Sequence, residues 1–500
     1  MSFDYFPSES MYIHHIPKEN NQNCFMKSKL IGRTKEIELL KAALISEEAE
    51  MISVIGRRRV GKTFLIQEVY QKHIVFEISG IQNADKKEQI RNFRERLIEF
   101  FPTTDINTPK DWLDAFFLLV RLLRAQSFNE KKVVFFDEVP WMATQKSGFL
   151  KGLSYFWNSW AVRQNIVVVL CGSAASWMIH KILRDKGGLH NRVTRRIRLQ
   201  PFTLSETKEY LESRSVFFDH YQLLQLYMVM GGIPHYLKEL KAGKSAVQNI
   251  NQICFSEDGL LQDEFLSLYP ALFQRSDYHV TIIRALATKQ NGMSRSELLN
   301  VTKLPDGGRI TQVLDELSQS GFITSYPPFG KKKKGQIYRL IDEYSLFYLK
   351  FIEQNLQNPP TWTSLSQTQA YKIWCGYAYE NICLKHIVAI KKALEIGGIY
   401  ATTSSFLKQG NDTQKGTQID LVINRNDHII NLCEIKFYNV EFTITKDYAQ
   451  KVRDKIRIFQ EVTKTKKQVQ IVFITTFGLK SNKHSLGLVH AAYGMDIFFD

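Results

Sequence analysis

Five apolar runs mark the first 200 residues, at 51–55, 73–78, 132–136, 165–171 and 195–199, with segments of helical periodicity between them. Strands alternating with helices predict a parallel α/β sheet, with its site at the carboxyl ends of the strands. From 203 to 240 the pattern becomes helical and is broken at Gly232 and Pro234. Between 278 and 341 it predicts three short helices, "DYHVTIIRALAT", "SRSELLNVT" and "GGRITQVLDELSQSG", then strands "FITSY" and "QIYRL" on either side of "PPFGKKKKG". In the third helix Ile310, Val313, Leu314 and Leu317 recur at i, i+3, i+4 and i+7, one buried stripe. After "QNPP" near 360 come a helix, "AYKIWCGYAYENICLKHIVAI", two apolar strands joined by the turn-rich "NRND", a helix around 446–462 and the strand "QVQIVFITTF". These changes divide the chain into an arm (1–28), an α/β unit (29–200), a helical unit (201–272), a three-helix unit with a hairpin (273–350) and a second α/β unit (351–500).

The first unit carries nucleotide chemistry. In "MISVIGRRRVGKTFLIQEVY" a strand, a glycine-bounded turn and a helix frame Gly56–Thr63, which fits G-x-x-x-x-G-K-[ST]. Gly56 and Gly61 let the backbone N–H groups of Arg57, Arg58, Arg59 and Val60 wrap phosphates; Lys62 reaches the β- and γ-phosphates, and Thr63 ligates Mg2+. The strand in "KKVVFFDEVPWM" ends in Asp137, placed to hold the hydrated Mg2+, and Glu138, placed to polarise an attacking water. The expected cofactors are ATP and Mg2+, and the expected activity is hydrolysis. "NIVVVLCGS" ends at Ser173, a γ-phosphate sensor or a turn residue. In "LHNRVTRRIRL", Arg192, Arg195 or Arg196 can act as an arginine finger, Arg192 first among them, unless the cluster is a solvated basic edge.

Composition narrows the partners. The formal net charge is +16, partly clustered in "GRRRVGK", "RVTRRIR", "GKKKKG" and "KTKK", which favours a polyanionic partner. No apolar run approaches the roughly 18 residues of a membrane span, and six scattered cysteines without paired spacing suit a reducing cytoplasm. The third unit has the layout of a winged helix-turn-helix, with Arg309, Thr311, Gln312 and the wing lysines 331–334 facing double-stranded DNA. Asp315 and Glu316, expected on the outward side of the same helix, oppose that and leave protein docking as the alternative.

The last unit holds a second set of charges. Glu434 and Lys436 of "CEIKF" lie two residues apart on a strand, hence on one face about 6.6 Å apart. Asp420 of "QIDLVI" lies on the strand expected to pair with it, so two carboxylates and an ammonium are expected together at one sheet edge. Two carboxylates and a backbone carbonyl suit a hard cation such as Mg2+, with Lys436 steadying an attacking hydroxide. Charges among apolar neighbours are costly without such a use.

The order of "LIGRTKEIELL", "GRRRVGKT", "FFDEVPW", "LCGS" and "MGGIPHYL" over residues 30–240 resembles the archaeal-type ATPases of the STAND class within the AAA+ superfamily. The resemblance implies that Gly32 and Arg33 lie on the adenine side and that 203–240, with Gly232 and Pro234, forms a lid over the nucleotide. It also implies an ATP-dependent conformational switch. The Asp420, Glu434 and Lys436 spacing resembles the PD-(D/E)xK restriction-endonuclease-like fold, with Ile419 in place of its usual proline. That resemblance implies a metal-holding acid at Glu380 and an output that cuts or grips DNA. The expected fold class is therefore α/β: a P-loop parallel-sheet ATPase with a helical lid, a winged helix-turn-helix and a carboxyl-terminal endonuclease-like domain. A homo-oligomer is a possible assembly, and a non-cleaving regulatory ATPase with docking modules is the alternative.

Overall fold

The computed structural model describes residues 30–102, 105–126, 130–144, 146–184, 187–273, 275–330, 335–355, 361–408, 410 and 416–500. The arm 1–28 and the wing lysines 331–334 lie outside the described residues.

Strands β1 (Glu50–Gly56), β2 (Ile74–Ser79), β3 (Lys132–Asp137), β4 (Ile166–Gly172) and β5 (Arg195–Leu199) form a parallel sheet in the order β2-β3-β4-β1-β5. β1 and β4 are buried along their whole length because both faces are covered. Alternate residues divide between two cores. Ile52, Val54, Val133, Phe135, Val167 and Val169 enter one, and Met51, Ile55, Val134, Phe136, Val168 and Leu170 enter the other.

The three predicted helices of the middle unit are Asp277–Ala287, Arg295–Thr302 and Gly308–Gln319. A short strand, β6 (Met293–Ser294), joins the predicted pair β7 (Ile323–Tyr326) and β8 (Ile337–Leu340) in an antiparallel sheet ordered β6-β8-β7. Asp315 and Glu316 do not stand free on the outside of their helix. Asp315 meets His180 of the first unit at 3.2 Å and Glu316 meets His279 at 2.7 Å, so the second half of this helix is docked and Arg309, Thr311 and Gln312 remain exposed.

The last unit is a mixed sheet ordered β15-β13-β11-β10-β9, from β9 (Ala401–Lys408), β10 (Thr417–Arg425), β11 (Ile429–Lys436), β13 (Gln468–Thr475) and β15 (Ala491–Tyr493), beside a small parallel pair, β12 (Phe442–Thr443) and β14 (Leu479–Lys480). β10 and β11 pair antiparallel as the turn predicts. Both are interior strands, so Asp420, within β10, and Glu434, two residues before the end of β11, lie inside the sheet and not on its edge. The helix Lys446–Thr463 covers one face through Ala449, Val452 and Phe459, and the helix Gln369–Lys385 lies against the other. A single apolar cluster runs from one face of the first sheet through the helical and middle units to Leu421, Cys433 and Val472, so the divisions at 200, 272 and 350 are not breaks in the core.

Candidate functional site

β1 delivers the phosphate loop at the carboxyl end of the sheet, where Gly61 adopts φ 90° as the cap of the helix Lys62–Tyr70. Gly56 lies against the Leu199 carbonyl so closely that a Cβ would come within 2.4 Å of its oxygen. Lys62 is buried, and its Nζ donates to the Arg57 carbonyl at 2.9 Å. The Thr63 hydroxyl donates to Asp137 Oδ2 at 2.7 Å, while Asp137 Oδ1 accepts the Glu138 N–H at 2.9 Å. Those hard oxygens suit Mg2+, which takes few protein ligands and completes its shell with water and phosphate. Thr63 and Asp137 would hold such an ion, which would supply charge neutralisation to a bound nucleotide.

Glu138 has a φ of 45°, a left-handed conformation that costs a non-glycine residue roughly 1–2 kcal/mol and is concentrated at functional positions. Its Oε2 accepts both the Ser173 N–H at 3.0 Å and the Ser173 hydroxyl at 2.8 Å. Ser173 therefore orients the glutamate. Arg192 lies elsewhere. It precedes β5, whose Arg195 pairs with Ile52 near the start of β1 and whose Leu199 pairs with Gly56 at its end. That puts Arg192 at the amino end of the sheet, roughly 20 Å of strand away from the phosphate loop, and out of reach within the same chain. Arg195 is engaged with Glu50 at 2.8 Å, so neither residue is a finger in its own subunit.

The helical unit meets the "GR" turn around Phe202. Arg33 stacks over its ring at 4.4 Å, donates to the Val60 carbonyl at 3.4 Å, and its N–H reaches Glu206 Oε1 at 3.0 Å. Gly32 and Arg33 both have positive φ, 60° and 57°, and Glu206 fills the space a Cβ on Gly32 would need. Gly232 packs its backbone on Phe202, leaving 1.9 Å for a Cβ, and Pro234 then starts a helical turn. His235, next along, is held below its usual pKa by burial and by Arg59. Phe202 and Glu206 were not singled out from the sequence. Their signal is the capping box Thr203-x-x-Glu206, which fixes Glu206 beside the "GR" turn.

Two loop arginines are tied to later units. Arg57 ion-pairs with Asp342, both buried, and stacks on Phe322 at 4.3 Å; Arg59 ion-pairs with Glu264. Burial works against the Arg57 charge, but Asp342 together with Tyr236 and Tyr269 leaves the guanidinium above its ordinary pKa. Arg58 is half-buried between them.

At the second cluster, Leu421 opposite Cys433 sets Asp420 next to Glu434 across the ladder. Glu434 is 2% exposed and is held by Lys455 at 2.6 Å, the Tyr448 hydroxyl at 3.0 Å and Lys436 at 3.8 Å. Glu380 accepts from Arg339 at 3.0 Å. Burial, then the charge of Asp420, pushes Glu380 up to about 7 against the pull of Arg339. Burial and Glu434 likewise raise Asp420, opposed by Lys436 and Lys455. Three carboxylates thus face three cations. Their oxygens are of the type a divalent cation prefers, yet among the described residues no three His, Cys, Asp or Glu side chains converge closely enough to hold a metal ion. Arg339, Lys455 and Tyr448 were not anticipated. Lys455 had a visible signal, since Tyr448, Val452, Lys455 and Phe459 follow the i, i+4, i+7, i+11 stripe of an amphipathic helix.

A parallel sheet, a phosphate loop after β1 and an acidic pair at the end of β3, with β4 between the two strands, are the features of a P-loop ATPase domain. Residues 30–240 match the family model described as an ATPase domain predominantly from Archaea. An uncharacterized protein of Methanocaldococcus jannaschii is 23% identical over 418 residues, covering 82% of this chain and 88% of its own. Among solved structures, the Walker-type ATPase of Pyrococcus abyssi aligns with a TM-score of 0.48 at 17% identity, over 65% of this chain and 97% of its own. The Aeropyrum pernix ORC2 protein, in its ADPNP–ADP complexes, aligns with a TM-score of 0.40 at 17% identity, over 68% and 98%. Among the described residues, no helix is long and apolar enough to cross a membrane.

Proposed function

We propose that the chain is an ATP-hydrolysing conformational switch of the STAND type whose output is exerted on DNA. The observation that carries this reading is the paired geometry at the phosphate loop: Thr63 on Asp137 at 2.7 Å, and Ser173 holding Glu138 at 2.8 Å. Lys62 and the loop N–H groups bind phosphate, Thr63 and Asp137 hold the ion, and Glu138 orients the water. Gly32, Arg33 and Pro234 close the adenine side. The middle unit acts as a winged helix that meets DNA through Arg309, Thr311 and Gln312. The last unit is an endonuclease-like domain in which Asp420, Glu434 and Glu380 would hold a divalent cation beside Lys436.

A second reading, a switch that grips DNA without cutting it, is favoured by one observation. Every carboxylate of the second cluster already lies among cations of the chain itself. Side-by-side assays of ATP turnover and plasmid nicking separate the two. Loss of nucleotide binding in Lys62→Ala is required by both readings. Mg2+-dependent nicking that disappears in both Asp420→Asn and Lys436→Ala establishes cleavage, and nicking indifferent to both leaves the gripping switch.

A further inference from the structure

Five consecutive residues touch both candidate sites. At the end of β8, Arg339, 2% exposed, donates to Glu380 at 3.0 Å and lies over the Tyr377 ring at 4.7 Å. The Leu340 carbonyl accepts from the Tyr377 hydroxyl and from Asn381 Nδ2, each at 3.1 Å. Asp342, 2% exposed, pairs with Arg57 of the phosphate loop and also accepts the Ser345 N–H at 2.9 Å. Glu343 holds Lys385 at 2.6 and 2.7 Å. Arg339 and Asp342 are three residues apart, at most roughly 10 Å of chain, so the two sites are joined by a short segment fastened at both ends.

The middle unit holds Asp420 as well. Asn291 and Gln418 exchange amide hydrogen bonds at 2.6 and 2.8 Å, and Gln418 donates to Asp420 Oδ1 at 3.0 Å. Two carboxylates of the second cluster are therefore restrained by a unit that is itself tied to the phosphate loop.

The loop end of this connection competes directly with a nucleotide. Lys62 Nζ donates to the Arg57 carbonyl, and a bound triphosphate draws that ammonium to its β- and γ-oxygens. The same phosphates bring negative charge beside Arg57, whose guanidinium is committed to Asp342. A ligand shifts an arrangement only through a differential interaction with it, and this competition is one.

We propose that Arg339–Glu343 is a coupling strut: nucleotide at the phosphate loop displaces the Arg57–Asp342 pair and, through this segment, the Arg339–Glu380 pair, changing how many cations the carboxylate cluster must take from elsewhere. Asp342 and Arg339 are positioning residues. The inference rests on nucleotide binding as proposed above, and it links that site to the second cluster whether the cluster cuts or only grips. Because coupling is reciprocal, a change at Glu380 must alter nucleotide affinity, and couplings of this kind fall in the range of about 5- to 150-fold.

The test is hydrogen–deuterium exchange on the full chain with and without saturating non-hydrolysable ATP analogue, alongside titration of a fluorescent ATP analogue. The expected result is slower exchange at 56–63 together with an altered rate at 377–385. In Asp342→Asn the change at 377–385 disappears while protection at 56–63 persists. Glu380→Gln, which leaves the phosphate loop untouched and remains informative if Asp342→Asn does not fold, shifts analogue affinity by about 5-fold or more. Protection confined to 56–63 in the wild-type chain, or Glu380→Gln affinity within twofold of wild type, overturns the strut and leaves the ATPase reading standing. Failure of the wild-type chain to bind the analogue overturns both.

Discussion

The phosphate loop and the carboxylate cluster are both built from buried charge, and they differ in where the compensating groups come from. At the loop, the contacts among Lys62, Thr63, Asp137, Glu138 and Ser173 run between strand ends of one sheet and the turn that follows β1. At the cluster, Asp420 and Glu434 are matched by groups from two other elements: Arg339 of β8 by way of Glu380, and Lys455 and Tyr448 of the covering helix. The first arrangement holds Asp137 and Glu138 on hydroxyl and N–H donors. The second spends its cations on its own carboxylates, and a ligand there must displace them. A nucleotide therefore meets oxygens already assembled at Thr63, Asp137 and Glu138 and has to displace only the Lys62 and Arg57 contacts, whereas activity at the cluster is contingent on movement elsewhere.

The sharpest way to break this comparison is at Glu138. If the loop is preassembled for hydrolysis, Glu138→Gln keeps the Ser173 contact and the fold but removes the base, so turnover falls by about 10²–10⁴-fold. Nucleotide affinity stays near the wild-type value. Steady-state ATP hydrolysis and equilibrium titration check the two halves. Unchanged turnover would mean that the left-handed geometry at Glu138 is not catalytic.

The cluster predicts a different outcome, in stability. Lys455→Met leaves Glu434, 2% exposed, with Tyr448 at 3.0 Å and Lys436 at 3.8 Å. Removing one partner of a fully buried pair costs about 3–5 kcal/mol. Lys455 is 25% exposed and Lys436 remains, so about 2 kcal/mol is expected for the last unit. Thr63→Ala at the loop removes one hydroxyl contact and costs about 1 kcal/mol. Urea denaturation followed by exchange protection in each unit measures both. Equal losses would erase the distinction between a poised site and a self-neutralised one.

How much of this was legible in the sequence follows the same division. All five strands of the first sheet and the Gly56–Thr63 loop were readable because apolar runs and a contiguous motif are local facts. The main strands and helices of the middle and last units were readable for the same reason; short β6, β12 and β14, the short helices Glu343–Phe347 and Trp362–Leu365, and β9 and β15, which lack a long apolar run, were not. Arg57 and Asp342 are separated by 285 positions, and nothing in "RRR" distinguishes the one that will be buried. Arg192 failed for a different reason. A residue preceding a parallel strand lies at the amino end of the sheet, and that rule places it away from the loop. The end of β5 instead sends Arg198 to the carbonyls of Ser318 and Gln319, a docking role for a basic residue that charge clustering alone does not suggest.

The smallest expected effect tests whether the proposed lid, the helical segment after residue 200, belongs with the loop or with the last unit. His386, 6% exposed, ends the helix Gln369–Lys385. Its Nδ1–H donates to the Ile382 carbonyl at 2.8 Å, and its Nε2 accepts the Leu204 N–H at 3.1 Å, at the first residue of the lid helix Leu204–Glu212. Burial lowers this imidazole to about 4 against the opposing pull of the Ile382 carbonyl. Protonation would place a second N–H against that of Leu204, so the neutral ring is the one that holds the lid. The unfolded histidine titrates near 6.5, so the stabilisation is complete above that pH and is lost as pH falls from about 6.5 through 4. One pH unit inside that window corresponds to about 1.4 kcal/mol. Between pH 7.5 and 5.5, exchange at Leu204–Glu212, corrected for intrinsic rates, should show the lid helix weakened by about 1 kcal/mol. In His386→Gln, whose amide oxygen can accept the Leu204 N–H without titrating, the same change in pH should leave the helix unaffected. A wild-type lid that is equally protected at both values would detach it from the last unit and return it to the loop, and nucleotide binding would then close the lid without engaging the carboxylate cluster through this contact.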